Sequence, residues 1–193
     1  CVHVVDDLVY DIIEGYNVKV KNNKEQDEKA NEGKKKTIEE LQRISIEQFK
    51  TKEKLPLVVV LDNVRSLHNV GSVFRTSDAY LVQRIFLCGI TATPPSAEIH
   101  KTALGAEDSV EWHYFPKTED ALQQLKNEGF VVLSVEQAKN SLSSTSLQLD
   151  ADKKYAIVLG NEVKGVQQQV VDMSDGCVEL PQYGTKHSLN VSV

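Results

Sequence analysis

Apolar residues recur along this chain in two rhythms, and the change from one to the other near Pro56 is its first organising feature. Before that point the rhythm is helical. Val5, Leu8, Val9, Ile12, Ile13 and Tyr16 share one face at helical spacing, which predicts an amphipathic helix over residues 4–16. Residues 19–36 then exchange nearly all apolar side chains for Lys, Asn, Glu, Gln and Asp, the composition of a solvated linker. Lys34, Lys35 and Lys36 are countered there by Glu25, Asp27, Glu28 and Glu32, so an ordinary charged segment is favoured over a basic RNA-contacting arm. Thr37 with Glu40 forms a capping-box pattern ahead of Leu41 and Ile44, and Ser45 with Gln48 repeats it.

From Leu57 onward the apolar residues form short continuous runs. Leu57 to Leu61 is largely β-branched and stops at Asp62-Asn63, as expected of a strand buried on both faces of a parallel sheet. Similar runs follow at 84–88, 110–115, 130–135, 155–159 and 177–180, with helical spacing at 70–80, 97–104, 118–128 and 166–173. Strands alternating with helices predict an α/β fold, a mainly parallel sheet flanked by helices, joined by right-handed crossovers. Ligands of such sheets bind beyond the carboxyl ends of the strands. The Pro-containing stretch 91–95 and the Ser- and Asn-rich stretch 139–149 are predicted surface connections. The chain therefore divides into a helical N-terminal extension, residues 1–55, and an α/β domain, residues 56–193.

Composition changes this picture only at the margins. With 193 residues, 40% of them apolar, the chain can build a core without staples. Cys1, Cys88 and Cys177 have no metal-ligand spacing, and the last two sit in strand-like runs, so buried free thiols are expected. His100, His113 and His187 are likewise scattered, and no metal is expected. No run approaches a membrane span and no secretory leader pattern is present, which points to a cytoplasmic protein away from membranes. The net charge of −6 is concentrated beyond residue 55. RNA binding through bulk charge alone is thereby disfavoured.

Candidate chemistry lies at three strand ends. Just past the first strand, Asn69 is placed to cap a helix, Gly71 admits a close neighbour, and Arg75 follows about 1.7 turns later on the same helix. A surface ion pair is the ordinary role for that arginine. The second set, Gly160-Asn161-Glu162-Val163-Lys164-Gly165, follows Leu159 and bounds a loop by two glycines, with an amide and a carboxylate at the strand end. It lacks the spacing of a phosphate-binding loop, and Glu162 suits a cationic or neutral ligand. In the third, Leu180 is stopped by Pro181, Gly184 is a candidate for positive φ, and Ser188-Leu189-Asn190 follows, with Ser188 placed to open a helix.

Together, Asn69/Gly71/Arg75, Gly160-Asn161-Glu162-x-x-Gly165 and residues 181–193 closely resemble the three motifs of the SpoU-type RNA ribose 2′-O-methyltransferases, members of the SPOUT class. The likeness runs in matching order over residues 57–193. It implies a SPOUT-type α/β knot with a C-terminal trefoil knot, S-adenosylmethionine as methyl donor, tRNA or rRNA as substrate, and a homodimer. By that resemblance, Leu159, Gly160, Asn161, Glu162, Gly165, Leu180, Pro181, Ser188 and Leu189 form the cofactor pocket. Asn69, Arg75, Glu162, Ser188 and Asn190 match the residues near the reacting ribose. The sequence reaches Val193 inside the third motif, ahead of the helix that closes the knot in similar proteins. Residues 1–55 match no RNA-binding extension of these enzymes. Two rival readings are a non-catalytic RNA-binding protein on the same fold and an α/β enzyme acting on a nucleotide or other small molecule.

Overall fold

The computed structural model describes residues 44–185 and 188–192. The expectations for residues 4–16 and 19–36, for the Thr37–Glu40 cap, and for Cys1 and His187 lie outside the described residues.

Strands β1 (Leu55–Asp62), β2 (Val82–Cys88), β3 (Trp112–Phe115), β4 (Phe130–Val135), β5 (Leu142–Ser143), β6 (Lys154–Leu159) and β7 (Gly176–Glu179) form one sheet. Its order is β3-β2-β1-β6-β4-β7-β5, and every pairing is parallel. The chain builds outward from β1 through β2 to β3, then returns to the other side of β1. The order therefore reverses between β1 and β6, where Val59 pairs with Ile157 and Leu61 with Leu159.

The continuous apolar runs exist because the sheet is covered on both faces. Leu57, Val59 and Leu61 pack into one core layer, and Val58 and Val60 into the other. The first layer lies under α1 (Ile46–Thr51), α2 (Leu67–Ala79), α3 (Ala97–Ala103) and α4 (Ala106–Ser109). The second lies under α5 (Thr118–Asn127) and α6 (Gln168–Met173). Each fully buried Leu or Val contributes roughly 1.5–3 kcal/mol by leaving water, so β1 is the least replaceable strand. The expected thiol environment holds for Cys88, where burial first and foremost pushes the pKa up to about 12. Cys177 is only partly covered, and its pKa is also raised, chiefly by burial.

Several local expectations hold in detail. The Ser45–Gln48 capping box opens α1, with Gln48 N donating to Ser45 Oγ and Ser45 N to Gln48 Oε1. Phe49 of that helix is 3% exposed and belongs to the main core, so residues ahead of Pro56 already pack against the sheet domain. Gly71 is where α2 meets α3: a Cβ there would lie 2.1 Å from Thr102 Oγ1 and 2.3 Å from the Ile99 carbonyl oxygen. The exposed His100 pairs with the largely covered Glu107, and His113 pairs with Glu111 at the surface.

Other expectations need correction. The stretch 139–149 is not only a surface connection, because it supplies β5 and a short 3-10 turn, Ser144–Ser146, and sets Leu147 and Leu149 against the core. The helix cap at the start of α2 is Ser66, whose Oγ accepts from Asn69 N, and Asn69 lies within the helix. Ser188 opens no helix. The chain turns at residues 191–192, where the Asn190 side chain accepts from Ser192 N and Oγ. Gly184 makes a bend without positive φ.

Candidate active site

The loop from β6 to α6 closes on itself. Asn161 N donates to the Gly165 carbonyl oxygen at 3.0 Å and Gly165 N returns a bond to Asn161 O at 2.8 Å. Such closure needs its two glycines for different reasons. Gly165 has φ +69°, and a Cβ on Gly160 would sit 2.2 Å from the Gly165 carbonyl carbon and the Val166 nitrogen. The Asn161 side chain builds the same loop: Oδ1 accepts from Val163 N and Lys164 N, while Nδ2 donates to Asn63 O at 2.7 Å. That last bond fastens the loop to the end of β1.

Three carboxylates complete the fastening. Glu162 Oε2 accepts from Arg65 N and Oε1 from Ser66 N, each at 2.9 Å, and Oε1 also accepts from Asn69 Nδ2 at 2.8 Å. Its charge thus rests at the N-terminus of α2, where free N–H groups favour an anion. Burial alone would raise the Glu162 pKa, but the N–H groups of Arg65 and Ser66 and the Asn69 amide outweigh it and hold the carboxyl below its ordinary value. Both oxygens are therefore engaged by protein donors.

The sequence reading took Asp62 only as the end of a strand and gave Glu136 no role. Asp62 is fully buried and accepts from Thr118 Oγ1, Asn63 Nδ2, Gln167 N and Gln167 Nε2. Glu136 accepts from Val166 N at 2.9 Å and Gln137 N at 2.8 Å. Each is an acidic residue immediately after a buried apolar run, and that position was the available signal. Unpaired, such charges are costly at a strand end, so the donors around them account for their presence.

These loops enclose a cavity of about 360 Å³ at the carboxyl ends of β4, β6 and β7. Of the predicted cofactor residues, Leu159, Gly160, Asn161, Glu162, Gly165, Leu180, Ser188 and Leu189 line it. Pro181 does not, although its neighbours Leu180 and Gln182 do. Of the predicted ribose residues, Glu162, Ser188 and Asn190 line the cavity, and Asn69 reaches it through Glu162. Arg75 stands apart. It is exposed on α2 and is not among the lining residues.

Residues 56–193 match the model of the SpoU rRNA Methylase family. The chain belongs to this family. Among SpoU-type relatives, a tRNA (guanosine(18)-2′-O)-methyltransferase of Aquifex aeolicus is 32% identical over 145 residues, covering 74% of this chain and 66% of the relative. The chain thus spans just under two thirds of that protein's length. Among solved structures, the TrmH/SpoU tRNA modifying enzyme of A. aeolicus superposes with a TM-score of 0.65 at 28% identity, over 76% of this chain and 73% of that one. An AdoMet-bound rRNA methyltransferase of Sinorhizobium meliloti gives a TM-score of 0.66 at 27% identity, over 78% and 57% respectively. The parallel sheet flanked by helices is the SPOUT-type fold of these neighbours.

Proposed function

We propose that this chain transfers a methyl group from S-adenosylmethionine to a ribose 2′-hydroxyl of tRNA or rRNA. The observation that carries the reading is the cavity itself, at the carboxyl ends of β4, β6 and β7, walled by the second and third motifs and tied to the first by Glu162 and Asn69. Its residues suit the donor. Val135, Ile157, Leu159 and Leu189 offer apolar surface to a flat base, backbone polar groups of the 160–165 loop lie at the edge, and the acidic lining suits a cation.

When bound, the donor supplies an activated methyl that needs no metal. The protein's part is then to hold a ribose oxygen in line, so most of the gain is proximity and orientation. Asn69 and Glu162 hold the start of α2 against the cavity rim and so set where Arg75 stands. Arg75 grips the phosphate beside the target ribose and stabilises the developing alkoxide. A guanidinium with pKa above about 12 does not accept the hydroxyl proton, which passes to a phosphate oxygen or to water. Ser188 and Asn190 supply polar contacts at the mouth.

A C-terminal trefoil knot, a homodimer and a cytoplasmic setting belong to the same proposal, as does the catalytic role of residues 56–193 with 1–55 as an extension. Incubating the chain with labelled S-adenosylmethionine and total tRNA and rRNA, followed by nucleoside analysis, tests the activity. Ribose-methylated nucleosides are expected. Label confined to bases would overturn the 2′-hydroxyl assignment, and RNA binding without any incorporation would favour a non-catalytic RNA-binding protein.

A further inference from the structure

Among the described residues, the lining of the cavity carries more negative than positive charge, and the hydrogen bonds that fasten its loops orient that charge without neutralising it. Three carboxylates, Glu136, Glu162 and Glu179, line it with one ammonium among the described residues, that of the exposed Lys164. Glu162 is accounted for by the start of α2. Glu136 and Glu179 are different. They extend from the ends of adjacent strands β4 and β7, one step beyond the registered pair Val135 and Val178, and Glu136 N donates to Val178 O at 3.0 Å. Glu136 is oriented by two backbone N–H groups and Glu179 by the Ser141 hydroxyl at 2.8 Å. Neither forms an ion pair with another described residue. Both carboxylates are therefore held in place without an opposing charge from any described residue, side by side on a partly apolar wall.

We propose that Glu136 and Glu179 make this cavity select the methyl donor over its demethylated product by charge. The inference rests on the reading that the cavity holds S-adenosylmethionine. Donor and product differ by one methyl group and one positive charge. On transfer the sulfur–methyl bond breaks, its electron pair stays on sulfur, and the sulfonium becomes a neutral thioether. At an effective dielectric near 20, and after desolvation and screening offset most of the attraction, the two carboxylates together are worth roughly tenfold in affinity. The same two residues that draw in the charged donor therefore lose their hold on the product once the methyl has left, which favours turnover.

Calorimetric titration of the full chain with S-adenosylmethionine and with S-adenosylhomocysteine tests this, using the wild type, Glu179→Gln and Glu136→Gln. The Glu179 amide oxygen can still accept from Ser141, so that variant keeps its local bond and carries the test if Glu136→Gln disturbs the Val166 contact. The wild type is expected to bind the donor about tenfold more tightly than the product. Glu179→Gln is expected to weaken donor binding about fivefold and change product binding by less than about twofold, with high salt narrowing the wild-type preference in the same way. An unchanged donor-to-product ratio in Glu179→Gln, or equal weakening of both ligands, overturns the inference. Failure of the wild type to bind either ligand instead overturns the reading of the cavity, and the inference with it.

Discussion

Asn69 Nδ2 and Glu162 Oε1 are 2.8 Å apart although 93 positions separate them in the chain. This bond joins the first motif to the second, and its chemistry is directional: the amide donates, and the carboxylate accepts. The same carboxylate takes the Arg65 and Ser66 N–H groups, so one side chain both terminates α2 and fixes the loop that walls the cavity.

Replacing the donor by an acceptor should therefore cost more than removing it. Asn69→Ala loses one charge-assisted bond, about 1.5–3 kcal/mol, whereas Asn69→Asp sets two carboxylates against each other. Chemical denaturation should rank the aspartate variant as the less stable of the two, and S-adenosylmethionine affinity should follow the same order. Equal stability would mean that the bond does not hold the loop.

Arg75 should separate catalysis from folding. It is exposed and does not line the cavity, so Arg75→Lys and Arg75→Ala are expected to shift unfolding free energy by less than about 0.5 kcal/mol and leave donor affinity unchanged. Methyl transfer to RNA should fall by roughly 100-fold in the lysine variant, because a point charge cannot grip phosphate with a planar fork. Near-full turnover by Arg75→Lys would remove the need for the guanidinium.

Gly160→Ala meets backbone rather than a movable side chain, with the added Cβ 2.2 Å from two atoms of Gly165 and Val166. A loss of at least about 1–3 kcal/mol is expected from forced overpacking, together with loss of donor binding. Gly184→Ala is the control, since the space around its Cβ position is open. Thermal melts of the two variants should differ clearly.

Acid should loosen the site in a definite direction. The folded pKa of Glu162 is depressed, so its contribution to stability is present above the ordinary carboxylate pKa of about 4.3 and is lost as pH falls through the folded value. Glu98, Glu107, Glu128 and Asp175 are depressed as well and act with the same sign. Unfolding free energy measured from pH 7 down to pH 3 should therefore fall. Glu162→Gln, less stable at pH 7, should show a shallower fall, and parallel curves would mean that the Glu162 carboxylate is not held as described.

Alternating apolar runs and helical stretches, read along the chain alone, determine a parallel sheet covered on both faces, since Leu57 to Leu61 can all be buried only if neither face of β1 meets water. The glycine-bounded loop at 160–165 and the close approach at Gly71 are legible for the same reason: they are local requirements of the backbone. The tasks of individual polar residues were not. Asn69 resembles a helix cap until Ser66 is seen to hold that place, and the bonds from Glu162 to the start of α2 join residues far apart in the chain. Asp62 was legible only as the end of a strand, and Glu136 not at all, because their meaning depends on Gln167 and Val166, which only folding brings beside them. Periodicity records which side chains leave water and so belongs to the sequence. Pairing between distant donors and acceptors depends on strand order and register, and only the tertiary structure decides it.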